Sequence, residues 1–552
     1  MKRTTIFFTI LLIMGGASSY TEEPRSGDGP AQPEQPEIIL PTEVFEIEAF
    51  TVETVSAPLP QVSEIRIPVL PVPLPESGEL QITEAALAID PVAPTGTVPA
   101  VQGGSSVFST AQVGFGSRNW LFGDLSVFAF GTEPRLSFEF RHESLDGYGE
   151  NDPGKGYFSG SDRIAGSLDF SNEMTDLGAT VSFDSGRTGF QGQGPFLSLD
   201  QRFTRGEAEF LQETEGPVSF GSRIGFSDAD RVFTDPSEPR PEKSLDLDVD
   251  GRVMLGFDRV ELSLGTRYTF DRTVDRTETA RQSQTVSGDI TFDVAFDNGL
   301  LLDTAAGVAW MPGRGYVIPF TFGIGGTVSD RLSLDFRTGQ DVLRDNAASL
   351  WDSVFAIQTP SEMVWGSEWF GSISATWFAR PDTTVSGAGR FSYSRDTYDV
   401  GPFTSEGMHE IRHVSERTMV TSNLRAVYSP RPQFRASAEL SLNLIERRTI
   451  DPLFALGLET EFLTGNGLSG MIVTMDSPFF LTGTAEVTPV MPDLGITGFY
   501  ALTDTIQLSL GVRDLLDLID RENPRYLYGT DPQSYPLIQP GFRATVSAQL
   551  SL

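Results

Sequence analysis

His409-Glu-Ile-Arg-His413 is the stretch of this chain whose residue types and spacing come nearest to chemistry. On a helix, His-Glu-x-x-His sets two imidazoles one turn apart around Zn2+, with the glutamate as general base. The surroundings argue against that use. Arg412 would put a cation beside the metal, the flanking residues read as a loop between strands, and His142, the only other histidine, offers no third ligand. We expect a surface loop here and no metal.

Asp246-Leu-Asp-Val-Asp-Gly251 opens like an EF-hand calcium loop, but the twelfth position is Phe257 where a bidentate glutamate is needed. Leu245, Leu247 and Val249 alternate with the aspartates, so a strand with a carboxylate-lined face accounts for the run. Asp146-Gly-Tyr-Gly-Glu-Asn-Asp-Pro-Gly154 reads as a Gly/Asp-rich external loop. Gly323-Ile-Gly-Gly326 has no helix pattern after it and is no phosphate cradle. With 3 His, 0 Cys and no triad, we expect no catalytic residue, no cofactor site and no metal site, and hence no enzyme. Trp120, Trp310, Trp351, Trp365, Trp369 and Trp377 fall near expected strand ends, which suits an interfacial girdle.

The elements that must hold these residues are strands. In the closing run Phe542 to Leu552, Phe542, Ala544, Val546, Ala548, Leu550 and Leu552 take one side of a two-residue period, and Arg543, Thr545, Ser547, Gln549 and Ser551 the other. Leu332, Leu334 and Phe336, then Leu262 and Leu264, then Leu508, Leu510 and Val512 repeat the pattern. A transmembrane barrel needs such strands, because lipid wets one face and the lumen the other. Its bulk hydropathy then stays near that of a soluble protein, in keeping with an apolar fraction of 39%, 55 Gly and 40 Phe. The net charge of −35 argues against nucleic acid as a partner.

Met1 to Ser19 reads as a signal peptide, with Lys2 and Arg3, an apolar core from Ile6 to Met14 and a small-residue site at Ala17-Ser18-Ser19. Residues 20–104 hold 14 of the 36 prolines and 14 acidic residues against Arg25 and Arg66. We expect a mostly disordered, acidic, Pro-rich periplasmic segment. Its run at 38–55 alternates and could add to a partner's sheet edge or lie in a lumen.

Residues 105–552 read as β throughout. Short turn signals sit near Thr132-Glu-Pro134, Asn172-Glu173, Glu213 to Gly216, Asp258-Arg259, Asp297-Asn-Gly299, Ser329-Asp330, Arg380-Pro-Asp382, Pro430-Arg-Pro432, Gly465-Asn-Gly467 and Thr503-Asp504. Each closes a hairpin on one side, which implies an all-β transmembrane antiparallel barrel of about 22 strands. Longer loops are expected at Asp146 to Gly160, Asp228 to Lys243, Asn346 to Ser367, Asp396 to Arg417 and Arg521 to Pro536.

At the start of the β region, Phe108 to Ser117, Asp124 to Phe128 and Arg141 to Ser144 resemble the opening strands of TonB-dependent receptor barrels, and its end is similar to theirs too. Leu508 to Leu516 resembles the penultimate strand and the N-L-F element after it, with Asp514 where Asn is usual. Tyr535-Pro-Leu-Ile-Gln-Pro-Gly-Phe-Arg543 resembles the Y-P-x-P-G-R approach to the last strand. There are departures: the N-terminal segment is too short and too Pro-rich for the family's plug domain, and Leu552 stands where an aromatic is usual. Glu43 to Ala49 has the look of a TonB box.

The resemblance implies a porin-like transport protein of the cell outer membrane, passing or taking up solutes. Its partners would be outer-membrane lipid, the barrel-assembly machinery and, through residues 38–55, TonB or another periplasmic protein. The acidic segment would occlude the pore from below, and an acidic lining would favour cations. The alternative is a non-transport adhesin or scaffold barrel.

Overall fold

The computed structural model describes residues 106–130, 133–148, 151, 153–234, 240–311, 315–344, 346–360, 365–444, 451–465, 467–481, 487–489, 491–519, 525 and 536–552. The expected signal peptide, the Pro-rich segment and its 38–55 run lie outside them.

Strands follow the alternating runs. They are β1 (Ser106–Gly116), β2 (Leu121–Phe130), β3 (Arg135–Asp146), β4 (Phe158–Asn172), β5 (Thr175–Gly189) and β6 (Ser198–Glu213). Next come β7 (Val218–Thr234), β8 (Arg240–Phe257), β9 (Val260–Val274), β10 (Ala280–Ala295), β11 (Leu300–Met311) and β12 (Gly315–Val317). The chain continues through β13 (Phe320–Ser329), β14 (Leu332–Arg344), helix α1 (Ala347–Ser353), β15 (Trp365–Arg380), β16 (Thr383–Phe403) and β17 (His409–Arg431). It finishes with β18 (Phe434–Leu444), β19 (Phe454–Leu463), β20 (Ser469–Leu481), β21 (Val487–Pro489), β22 (Asp493–Ala501), β23 (Ile506–Arg513) and β24 (Arg543–Ser551). β12 and β13 are two halves of one stave, both paired with β11, and β21 and β22 likewise both pair with β20. The segments therefore form a closed antiparallel barrel of 22 staves.

β1 closes the ring on β24, with Ala111 opposite Leu550 and Phe115 opposite Val546. Leu552 completes the seam by exchanging both backbone bonds with Ser109, at 2.8 and 2.9 Å. Closure leaves no sheet edge, which the bilayer core demands because it offers backbone groups no partner. Val546, Leu550, Leu334, Phe336, Leu264, Leu508 and Leu510 all lie exposed on the outer face. Their neighbours Ser547 and Ser263 face inward and are buried. No described helix is long and apolar enough to cross a membrane.

All ten short turns fall where the sequence places them, on the side where β1 begins and β24 ends. Two expected long loops are corrected. β7 and β8 run on to Thr234 and back from Arg240, and β16 and β17 leave only residues 404–408 between them. Both hairpins stay extended beyond the apolar belt because their inward faces have something to pack on: Arg231 pairs with Glu242 across the first, and Tyr398 and Val400 of the second join a buried apolar cluster. The 147–157 loop is as expected, while the 521–536 loop lies outside the described residues apart from Arg525 and Pro536.

Candidate functional site

The lumen wall is a lattice of opposite charges set by strand register. Asp184 lies 3.7 Å from Arg163 and 3.2 Å from Arg205, and Arg223 reaches Glu207 at 2.6 Å. Arg267 sits between Asp248 and Asp250 at 3.6 and 3.4 Å, and Arg337 between Asp303 and Asp335 at 3.9 and 3.6 Å. Glycine makes room for some of these carboxylates. A Cβ at Gly265 would stand 2.6 Å from Asp289 Oδ1. Half-exposed pairs of this kind contribute roughly 0–1 kcal/mol each, so the lattice shapes the field of the lumen more than it holds the fold. From β18 to β22 the balance turns acidic, because Glu439, Glu459, Glu461, Asp476 and Asp493 all fall on the inward register.

The connection from β14 to β15 turns into the lumen as a strap over residues 346–360. Asn346 caps α1 by accepting the Ser349 N–H at 2.7 Å. Ala347, Ala348, Leu350 and Trp351 are buried, and Phe203 and Ala229 on the facing wall and Tyr398 and Val400 on β16 complete their cluster. Burying Leu350, Trp351, Val354 and Ile357 contributes roughly 1.5–3 kcal/mol apiece. Past the helix the strap pairs with the tip of β17. His409 donates to the Ala356 carbonyl at 2.8 Å, and Gln358 donates to that of His409 at 2.9 Å.

Polar contacts, one of them to a buried ion pair, tie the strap to the walls around it. Arg231 and Glu242 are 0% and 2% exposed and meet at 2.5 Å. Thr359 of the strap bonds to both, at 3.0 and 2.8 Å, while Arg231 lies 4.3 Å over the Trp351 ring. At the start of the strap Arg344 bridges Asp246 at 2.6 Å and Asp271 at 2.5 Å, and Asp352 meets Arg205 at 3.0 Å. Arg281 donates to the Pro360 carbonyl at 3.1 Å.

Above the strap the loops meet as a dome. The β5–β6 loop, Phe190-Gln-Gly-Gln-Gly-Pro-Phe196, reaches the β16–β17 loop, which leaves the barrel ten staves away one way round and twelve the other. Contact is made glycine to glycine: a Cβ on Gly194 would stand 2.5 Å from the Gly407 Cα, and both have φ of +79°. Phe190, Phe196, Phe233, Ala356 and Met408 pack beneath. Gln191 exchanges two hydrogen bonds of 2.8 Å with Ile538 of the β23–β24 loop. Arg276 of the β9–β10 loop lies 3.3 Å from Glu242 and 3.6 Å from Glu406.

The residues singled out in the sequence are spread over this assembly. His409 to His413 form the start of β17, a strand. Residues four apart on a strand stand about 13 Å from each other, too far to share a metal. His409 is buried against the strap, with Nδ1 3.2 Å from the Gly401 carbonyl, and His413 Nε2 lies 3.2 Å from Asp396. Asp246, Asp248 and Asp250 line one face of β8, as expected, and hold arginines. Gly323 to Gly326 lie within β13. Tyr148 of the Gly/Asp-rich loop packs with Trp120 and Leu145. Trp310, Trp369 and Trp377 face outward as a girdle should, whereas Trp351 and Trp120 are buried. Arg231 and Glu242, Asp271 and Arg344, which hold the strap, carried no sequence signal: the first two read as charges in the expected 228–243 loop and the others as charges in strands.

The barrel is similar to solved structures of membrane transporters and receptors. The FrpB iron transporter from Neisseria meningitidis (F3-3 variant) matches with a TM-score of 0.62 at 9% identity, over 81% of this chain and 81% of that one. A mutant of the ferric enterobactin receptor (PfeA) from Pseudomonas aeruginosa gives 0.59 at 11% identity, over 82% and 81%. The copper transporter OprC gives 0.59 at 12% identity, over 82% and 81%. No model of a known protein family matches the sequence, and no curated protein does. The likeness is one of fold: this chain shares the closed antiparallel barrel of those transporters and receptors.

Proposed function

We propose that the chain is a gated passage for solutes across the outer membrane, held shut near its long-loop end by its own strap and dome. One observation carries the reading: a charge-lined lumen is crossed by a loop whose Thr359 bonds a buried Arg231–Glu242 pair on the far wall and whose entry, at Arg344, is tied to Asp246 and Asp271. A wall lined this way suits charged, hydrated solutes, because side chains replace part of their water. The iron, enterobactin and copper named for the similar structures belong to those proteins; the solute here is a matter for experiment.

Residues 20–104 act as the plug in this reading. The run at 38–55 is the stretch by which TonB would pull on the chain. Barrel-assembly machinery and outer-membrane lipid are the further partners that the fold implies.

The test is planar-bilayer conductance of the protein without its signal peptide beside two variants: one lacking 20–104, and one with 346–360 replaced by a short Gly-Ser turn. A silent protein that conducts when either segment is removed supports the reading and tells which segment holds it shut. Silence of all forms, including a form lacking both segments, would overturn it. That result would favour a surface adhesin or scaffold, a reading to which the joined β5–β6 and β16–β17 loops lend themselves.

A further inference from the structure

We propose that the inner wall where β8, β9 and β10 meet is a binding site for the cationic head of a solute, a guanidinium or primary ammonium group, and that Arg344 is its built-in occupant. The proposal rests on the gated-passage reading and names the chemistry that releases the gate.

Three carboxylates converge on one guanidinium. Arg344 Nη2 lies 2.6 Å from Asp246 and 2.5 Å from Asp271, and Nη1 lies 3.9 Å from Asp248. Asp271 is 1% exposed, although its strand position faces the lumen. A second feature is independent of the carboxylates. Thr269 and Thr273 flank Asp271 on the inward face of β9, and Thr285 stands opposite Thr269 on β10. All three are at least nine-tenths buried, and none of their hydroxyl oxygens has a hydrogen-bond partner among the described residues. Unmatched buried hydroxyls are costly, so their gathering here marks a place that more donors and acceptors would complete. Arg344 satisfies the carboxylates and leaves the hydroxyls without partners. A free guanidinium or ammonium group, able to sit deeper and turn its remaining N–H groups to them, would satisfy both.

The occupant's position on the chain supplies the consequence. Arg344 ends β14 and Asn346, which also bonds Asp246, opens the strap. A solute cation that takes the carboxylates displaces both anchors at once, so binding and release of the strap are one event. A ligand shifts such an equilibrium only by its preference for one state, and here the preference is built in, because the site is filled whenever the strap is shut.

Two measurements on the full chain test this. Methylguanidinium is titrated into R344A in detergent and followed by strap fluorescence and by thermal midpoint, with N-methylurea as the uncharged control. Saturable binding of methylguanidinium alone, weakened about 10-fold or more in R344A/D271N, is the expected result. R344K, which keeps a charge, guards against a folding defect in R344A. In bilayers, methylguanidinium should raise the opening of the unmodified barrel at concentrations where N-methylurea does nothing. Equal binding by R344A and R344A/D271N overturns the site. Binding of Ca2+ in preference to methylguanidinium overturns the ligand class. Binding without any change in conductance, in a barrel that does conduct once 346–360 is replaced, overturns the coupling to the strap while leaving the passage itself standing.

Discussion

Arg231 and Glu242 show how much one pair of side chains can carry. Both are buried, and each depends on the other and on Thr359 for compensation. E242Q removes the carboxylate and leaves Arg231 beside Arg276 with no full counter-charge, at a cost of about 3–5 kcal/mol. We expect the strap to detach locally, read as a rise in Trp351 exposure to quenchers, with the barrel still folded by heat-modifiable mobility. A paired R231M/E242L exchange should recover much of the loss; unchanged quenching in E242Q would show that the strap is held elsewhere. Gly194 makes a smaller point. G194A meets Gly407 and forces a left-handed φ on a residue with a Cβ, costing about 1–2 kcal/mol. Faster proteolysis of the 404–408 loop is the expected outcome, without loss of the barrel.

The strap is the element that departs most from a simple barrel. Its seven-residue helix is too short to stand alone, and it exists because Leu350, Trp351, Val354 and Ile357 find a ready-made apolar patch on the wall. The tall β16–β17 hairpin shares in the same contact, since Tyr398 and Val400 join the strap's buried cluster and the His409 backbone pairs with that of the strap. Replacing 346–360 should therefore loosen that hairpin as well. Hydrogen exchange of the β16–β17 amides from 397 to 414 is expected to accelerate, while the amides of 383–392 stay protected by their ladder partners on β15 and β17. Equal protection throughout would mean that the hairpin stands without the strap.

At the scale of the whole molecule, the lipid-facing belt and the lumen respond to opposite changes. Arg placed at Val546, in the middle of β24, meets hydrocarbon and costs about 2–4 kcal/mol near the midplane. The same charge placed at Gln549, on the other face, should cost little. Folding yield into bilayers distinguishes the two. In the strap-replaced barrel, the acidic stretch from Glu439 to Asp493 should make the reversal potential favour cations, less so in E439Q/E459Q/E461Q. The preference should fade between about 0.1 and 1 M salt as the screening length falls from about 10 to 3 Å. An anion preference would contradict the expected acidic lining.

How much of this was legible in the chain depends on the range of the forces involved. Strand faces, the ten short turns and the 22-stave count could be read because each is a local matter. Alternation sorts lipid from lumen residue by residue, and Asp297-Asn-Gly299 or Arg380-Pro-Asp382 turns a chain whatever lies beyond it. The same local rule placed Asp246 to Gly251 on a strand. It failed for 228–243 and 396–417, where polar composition reads as loop and only packing across the lumen keeps the backbone extended. The strap, the Arg231–Glu242 lock, the Gly194–Gly407 contact and the site around Asp271 join residues from about ten to more than two hundred positions apart. No periodicity records such pairings. They arise once the ring is closed and its two walls stand face to face, and which residues then meet was decided by the tertiary structure alone.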